Sequence, residues 1–600
     1  MPYLGYALIL AICTGVIFLS LTKERPRVYL IFLYFTGLSL LLTTTLAGPY
    51  ITGCDIHLEY YYAQFYAGLD VLPPLIGTPQ GASAGNTVLA PLIGNIVPLL
   101  WVYKLVYPII YATVPVLLYF LFQKWFTAKQ SFLAAFLFIA FTPFWMEVPT
   151  VARHLLTEIL IVGILYIIYK STLQRKYSVP LVTALGALAA ISYYTVTIVS
   201  LAMLSVMLLA GLIFKRKRVL LTCTILGAII SGCIYYPIAS EGAVAIKLGH
   251  FYNAYVPTRF ELDIPKQRVP IPAIITSSVV KDENGDPLIV DDREDLPPEV
   301  ERGEGLEPST VPGTTNRVAL PGASTKIVEL EPPKHDIFAS SSVPYYKRLG
   351  SFIRSAIGLG WSERDGWSRA YIVLQWLFIA LVPIGLWKTR KNKKYLMVAS
   401  GGLFLLFLLL IPGFTGLLSL TRTVHLALLV LAPTIAVSLK PKYLTPILVI
   451  YFLFASGFVF EVTQQPNIEK MTMPYNYGIS NPRIDLGIGA SITNDDYAIR
   501  QYIYDNNLFP TYSDIQGADF MGEIVGWRST WNRTFKTSEG MDTTRVGYAF
   551  INSRTTQDRL FTLWSGPGCR TRVTPESLGV DIDKNIIYQI GDARVIRLEE

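Results

Sequence analysis

Apolar residues in this chain come in long blocks, separated by short connections that are basic or rich in Pro and Gly. Blocks lie near residues 3–21, 28–47, 106–122, 131–145, 155–169, 178–194, 196–214, 219–238, 369–387, 395–411, 423–439 and 443–461. A helix of about 20 apolar residues spans the hydrocarbon core of a bilayer, and blocks this long exceed ordinary strands. The pattern therefore predicts about twelve transmembrane helices within residues 1–462. Past residue 462 polarity becomes ordinary. There, residues 495–504 read as a helix, 545–551 as a strand, and 585–590 with 594–598 as a terminal hairpin around Gly591 and Asp592. The predicted fold class is a polytopic α-helical membrane protein followed, at residues 463–600, by a small extracytoplasmic α/β domain.

Basic residues fall in alternate connections: Lys23, Arg25 and Arg27; Lys124 and Lys129; Lys170, Arg175 and Lys176; Lys215 to Arg218; Lys388 to Lys394; Lys440 and Lys442. Positive charge marks the cytoplasmic side. Connections 48–105, 146–154, 240–367 and 412–422, both termini, and everything after 462 then face outward. The first block is kept as a span, since no small-residue cleavage site follows it.

The long connection 48–105 is apolar but broken by Pro73, Pro74, Pro79, Pro91 and Pro98, which predicts short helices lying at the interface. Residues 280–342 are rich in Pro, Gly, Ser and acidic groups such as Asp291, Asp292, Glu294 and Asp295. That stretch reads as a solvated linker or lid without a packed core. Asn532-Arg533-Thr534 is a glycosylation sequon on the outward side.

Composition agrees with a membrane protein: of 600 residues, 52% are hydrophobic and only 16% charged. The net charge of +8 is largely the cytoplasmic anchors, and no basic stripe interleaved with aromatics suggests nucleic acid. The five cysteines, 13, 54, 223, 233 and 569, lack paired metal-ligand spacing. Cys54 and Cys569 face the oxidising side, either unpaired or bridged to one another.

Three groups of ionisable residues stand at the outward ends of these blocks. In Gly53-Cys54-Asp55-Ile56-His57-Leu58-Glu59-Tyr60, a helix over 55–67 places Asp55 and Glu59 one turn apart on one face, with His57 to the side. Two carboxylates converging on one substrate is the functional reading; the competing one makes Asp55 a helix N-cap and Glu59 an exposed polar residue. The second group is Glu147, Arg153, His154 and Glu158, with Pro149 as the expected helix start and His154 and Glu158 four apart. Glu158 lies inside the apolar zone, where an unpaired charge costs about 3 kcal/mol. Either the group works on a substrate or Arg153 or His154 pairs with Glu158 to lock helices together. The third is Arg422 with His425. Cations are rare on this side, so Lys104, Arg153 and Arg422 either snorkel to headgroups or bind an anion. Tyr60, Tyr61, Tyr62 and Phe65 either stack on sugar or lipid or form an interfacial belt.

One reaction uses these parts together: transfer of a sugar from a polyprenyl phosphate to a hydroxyl at the outer face. A carboxylate, Asp55 assisted by Glu59 or Glu147, removes the acceptor proton. The departing phosphate needs Arg422 with Lys104 or Arg153, or a divalent cation such as Mg or Mn held by Asp55, Glu59 and Glu147. The acceptor is a lipid, glycan or protein hydroxyl.

The motifs Gly53-x-Asp55-Ile-His57-x-Glu59-Tyr-Tyr61, Trp101-Val-Tyr-Lys104-x-x-Tyr-Pro108, Phe144-x-Met-Glu147-x-Pro-x-x-Ala-Arg153, Leu420-Thr-Arg422-x-x-His425 and Asn585-x-Ile-Tyr588 resemble a family of archaeal polytopic membrane proteins. That family looks like a branch of the GT-C glycosyltransferases, and the resemblance covers nearly the whole chain outside 280–342. It implies a helical membrane module whose first outer loop bears a catalytic aspartate, matched here by Asp55, followed by a soluble C-terminal domain. Two departures matter. Where the family usually has Ser-His-Tyr-Ser, this chain has Ser192-Tyr193-Tyr194-Thr195, and the Trp-Trp-Asp signature of oligosaccharyltransferases is missing. Transfer of a single sugar to a hydroxyl is favoured over transfer of a whole glycan to Asn.

Two other function classes compete. A transporter or flippase for a lipid-linked glycan would show inverted repeats and interrupted midplane helices. A noncatalytic surface-assembly protein would use the membrane module only as an anchor and leave Asp55, Glu59 and Arg422 without a task.

Overall fold

The computed structural model describes residues 2–46, 50–51, 53, 55–67, 81–213, 218–240, 244, 366–410 and 420–463. Beyond these it describes only 498–499, 502–503, 511–513, 532–534, 547–551, 561–566, 569–573, 583, 586–590 and 593–598. All of these belong to one unit, residues 1–264 and 335–600. The stretch 280–342, Cys54 and most of the expected helix 495–504 lie outside the described residues.

Each apolar block overlaps a helix. The chain forms α1 (Pro2–Leu21), α2 (Pro26–Thr45), α3 (Asp55–Ala67), a π-helical turn Gly85–Leu89 and α4 (Ala90–Gly94). Next come α5 (Leu99–Trp101), a second π-helical turn Val102–Val106, α6 (Tyr107–Tyr111), α7 (Val114–Phe122), α8 (Ala128–Ala140) and a 3-10 turn Thr142–Phe144. Then follow α9 (Ala152–Tyr169), α10 (Arg175–Ser192), α11 (Tyr194–Ile213), α12 (Arg218–Ala239), α13 (Gly366–Thr389) and α14 (Lys393–Leu408). Last are α15 (Leu420–Ser438), α16 (Pro441–Ala455) and α17 (Phe458–Val462). Among the described residues seven helical segments are long and apolar enough to cross a membrane: Leu4–Leu21, Pro26–Thr45, Leu99–Phe122, Ala152–Tyr169, Tyr194–Ile213, Arg218–Ala239 and Arg369–Thr389. Ala128–Ala140, Arg422–Ser438 and Pro441–Ala455 are apolar but shorter. The protein is a polytopic helical membrane protein.

Three boundaries differ from the sequence reading. The third crossing begins at Leu99, because the π-helical turn Val102–Val106 carries the helix through residues assigned above to a loop, and Lys104 thereby lies within the span. Pro149 does not start α9. The chain from Phe141 to Val151 is instead a series of turns, with Val148 N–H donating to the Pro143 carbonyl at 2.9 Å and Val151 N–H to that of Val148 at 3.1 Å. Extended backbone at Val151 (φ −142, ψ 86) then delays the helix to Ala152. The final block is cut at Gly457, whose φ of +78 ends α16 and separates it from α17.

Helix contacts are close because small residues line them, the usual solution where lipid removes the hydrophobic drive for association. A Cβ on Gly186 would stand 2.6 Å from the carbonyl oxygen of Thr224, and one on Gly227 would stand 2.6 Å from that of Thr183. The two glycines let α10 and α12 meet backbone to backbone. Gly385 does the same for α13 against Thr434 of α15. Buried aromatics fill the bundle; Tyr29, for instance, stacks on Phe132 at 4.6 Å between α2 and α8.

The described strands near the C-terminus are β1 (Thr511–Ser513), β2 (Asn532–Thr534), β3 (Gly547–Ile551), β4 (Phe561–Gly566), β5 (Cys569–Val573), β6 (Ile586–Ile590) and β7 (Ala593–Leu598). Five form a mixed sheet in the order β2-β1-β3-β7-β6, and β4 pairs with β5. The expected terminal hairpin is β6–β7, antiparallel with Ile590 opposite Ala593. Asn532 of the sequon opens β2.

Candidate functional site

The helix α3 begins at Asp55, as its spacing predicts. The bend that permits this is at Gly53, whose φ is +143 and whose missing Cβ would otherwise lie 2.7 Å from that of Thr150. One turn on, Glu59 points into the bundle toward the first turn of α9. There Arg153 answers both carboxylates: Nη2 is 2.7 Å from Asp55 Oδ2 and Nη1 is 2.8 Å from Glu59 Oε1. Such forked pairing is what a guanidinium does better than an ammonium. The two acids are not equivalent. The Glu59 side chain has no exposed surface whereas that of Asp55 is 45% exposed, so a second molecule can approach only Asp55.

Glu59 also closes the start of α9. The backbone N–H of Arg153 donates to Oε2 at 3.3 Å, and Ala152 offers its own N–H. A carboxylate here satisfies donors that have no partner within the helix and meets the positive end of its dipole. Burial pushes the Glu59 carboxyl up to about 7; Asp55 adds to the rise, while Arg153 and the two N–H groups oppose it. Above the pair, the Arg153 guanidinium lies 4.8 Å from the centre of the Tyr193 ring. Tyr193 occupies the break between α10 and α11. Tyr103 donates to the Glu59 carbonyl at 3.3 Å.

A second group lies deeper in α9. Glu158 is flanked by two imidazoles, with Oε2 3.3 Å from His154 Nε2 and Oε1 3.1 Å from His425 Nε2; all three side chains are fully buried. The Tyr111 hydroxyl is 3.3 Å from His425 Nε2, and Phe138 stacks on the His425 ring at 4.3 Å. A third contact pairs Arg422 Nε with Glu147 Oε2 at 3.4 Å. The Arg422 side chain is 20% exposed against 5% for Arg153, which makes it the more approachable guanidinium. Lys104 donates from Nζ to the Tyr50 carbonyl at 2.7 Å, and His57 is buried on α3.

The three groups named from the sequence therefore interlock across chain separations of up to 275 residues, Glu147 to Arg422 being the longest. Asp55 and Glu59 meet Arg153; His154 and Glu158 meet His425; Glu147 meets Arg422. Lys104 has its contact with Tyr50 instead. Sequence reasoning gave no role to Tyr111, Tyr103 or Tyr193; Tyr103 and Tyr193 were noted only inside stretches compared with the resembled family. For a divalent cation, Asp55 and Glu59 converge on a guanidinium and Glu147 on another. Among the described residues no group of three or more His, Cys, Asp and Glu side chains is arranged to hold a metal ion.

Compared with models of known protein families and with curated protein sequences, the chain gives no match.

Proposed function

We propose that this protein is a GT-C-like glycosyltransferase that moves a sugar from a polyprenyl-phosphate donor to a hydroxyl of a lipid, glycan or protein. In this reading the twelve apolar blocks all cross the membrane, both termini are extracytoplasmic, and residues 463–600 form a soluble α/β domain on the same side. The alternation of basic connections supports that orientation.

One observation carries the reading. Of the two carboxylates on α3, Glu59 is sealed and spent on Arg153 and the start of α9, while Asp55 is fixed by the same guanidinium yet half exposed. An ionised carboxylate held in one orientation at a helix end is what removal of a hydroxyl proton requires. The acceptor O–H gives its proton to Asp55 as the oxygen bonds to the anomeric carbon. The bond from that carbon to the phosphate oxygen breaks, and its electron pair leaves with polyprenyl phosphate. Charge gathering on the phosphate is met by Arg422, the more exposed guanidinium. Arg153 has a different task, since it holds the base and its partner. Lys104, with a hydrogen bond to the Tyr50 carbonyl, supports the chain entering the Asp55 helix.

The test is Asp55→Asn in nanodiscs with a labelled polyprenyl-phosphate sugar and a hydroxyl acceptor. The variant folds and transfer falls by about 10²–10⁴-fold; unchanged turnover in a folded variant removes Asp55 as base.

A second reading is transport of a lipid-linked glycan. It is favoured by the fully buried His154, Glu158 and His425 beside the broken backbone of 141–151, a combination used by carriers. Sugar-lipid movement across proteoliposomes without any new glycosidic bond selects it.

A further inference from the structure

Glu158 lies one helix face away from the proposed chemistry and touches none of the reacting groups, yet its carboxylate joins two helices. His154 is on its own helix, α9, and His425 is on α15. Each helix bears a guanidinium beside that contact: Arg153 precedes His154, and Arg422 lies one turn before His425. We propose that Glu158 is a positioning residue, a carboxylate clasped between two imidazoles that sets the spacing between the base held by Arg153 and the phosphate-facing Arg422. This rests on the glycosyltransferase reading.

Three observations support it. The contact is two-sided, one carboxylate oxygen to each histidine, so a shift of α15 along α9 breaks one half while leaving the other. It has no slack, because all three side chains are fully buried and the His425 ring is packed against Phe138, with the Tyr111 hydroxyl at its Nε2. Finally, the two cations serve opposite ends of one displacement. Arg153 orients the carboxylate that receives the acceptor proton, and Arg422 faces the departing phosphate. Attack and departure occur on either side of a single carbon, so their separation must be held within a fraction of an ångström. Helices in lipid slide over one another with little hydrophobic penalty, and a buried polar clasp supplies the register that packing alone does not.

The experiment compares wild type, Glu158→Gln, Arg422→Gln and the double variant in nanodiscs, measuring kcat and KM for a polyprenyl-phosphate sugar, with native mass spectrometry of polyprenyl phosphate binding alongside. Glu158→Gln is expected to lower kcat about 10- to 100-fold with a much smaller change in KM, the pattern of misplacement in the transition state. In the Arg422→Gln background the same change should have little further effect, because a residue acting through Arg422 has nothing left to position. Multiplicative losses, or an unchanged kcat in Glu158→Gln, overturn the proposal and leave the glycosyltransferase reading standing. A wild-type protein that neither binds polyprenyl phosphate nor transfers sugar overturns both. Should Glu158→Gln not fold, His425→Asn, which retains an N–H donor on a shorter reach, decides the matter by the same kcat, KM and double-variant comparison.

Discussion

Glu59 grips the helix that carries Arg153 at two points, with one oxygen 2.8 Å from Arg153 Nη1 as an ion pair and the other accepting from the Arg153 backbone N–H at 3.3 Å. The side chain and the helix end are thus secured together. With no exposed surface on Glu59, water cannot replace either contact, and loss of one partner strands a charge.

Replacing Arg153 with Met should cost about 3–5 kcal/mol of stability, the penalty for leaving a buried carboxylate without its cation. Arg153→Lys should be intermediate, because one ammonium cannot fork to two carboxylates. Adding Glu59→Leu to Arg153→Met should restore part of the loss, since the only carboxylate then left without Arg153 is the half-exposed Asp55. Denaturant unfolding in detergent micelles measures all three, and an Arg153→Met protein as stable as wild type would show that the fork contributes nothing to the fold.

The pH dependence of stability follows from Glu59. Its folded value of about 7 stands above the 4.5 of an unperturbed glutamate, so the folded chain holds this proton more tightly than the unfolded one. The associated stabilisation is full below pH 4.5 and disappears as pH rises through 7. Glu59→Gln cannot titrate. The margin of wild type over Glu59→Gln should therefore be widest below pH 4.5 and shrink as pH rises through 7, read as the difference in Tm across that range; a margin that grows with pH contradicts the assignment.

Packing offers a prediction independent of any activity. A Cβ at Gly385 would collide with backbone atoms of Thr434, which cannot rotate away as a side chain would. Gly385→Ala should cost about 1–3 kcal/mol by forcing α13 and α15 apart. Gly163, with nothing within 4 Å of its would-be Cβ, is the control, and Gly163→Ala should be neutral or mildly stabilising. Equal melting temperatures for the two variants would remove close helix approach as the reason for Gly385.

The helical blocks were legible because a bilayer imposes length and apolarity on a crossing, and each block of the sequence overlaps a helix. The helix over 55–67 was legible for a similar reason, with four-residue spacing placing Asp55 and Glu59 on one face. Boundaries failed where local rules were overridden. Pro149 looked like a helix start, but the turns from Phe141 to Val151 take up their hydrogen bonds differently, and a π-helical turn extended the third crossing back past Lys104. Tyr193 drew no attention as a partner for Arg153. A ring face has no signature in one dimension, since its role depends on what is placed over it.

By itself, the sequence determined that the chain is a many-helix membrane protein and which ionisable residues stand out of place in it, because hydrocarbon penalises charge wherever it falls along the chain. Only the tertiary structure decided the pairing: Arg153 with Asp55, 98 residues away, Glu158 with His154 and His425, and Arg422 with Glu147. Those choices depend on which helix faces meet and at what height. That is settled by glycine contacts, aromatic packing and backbone breaks acting together across the bundle, and no local periodicity records it.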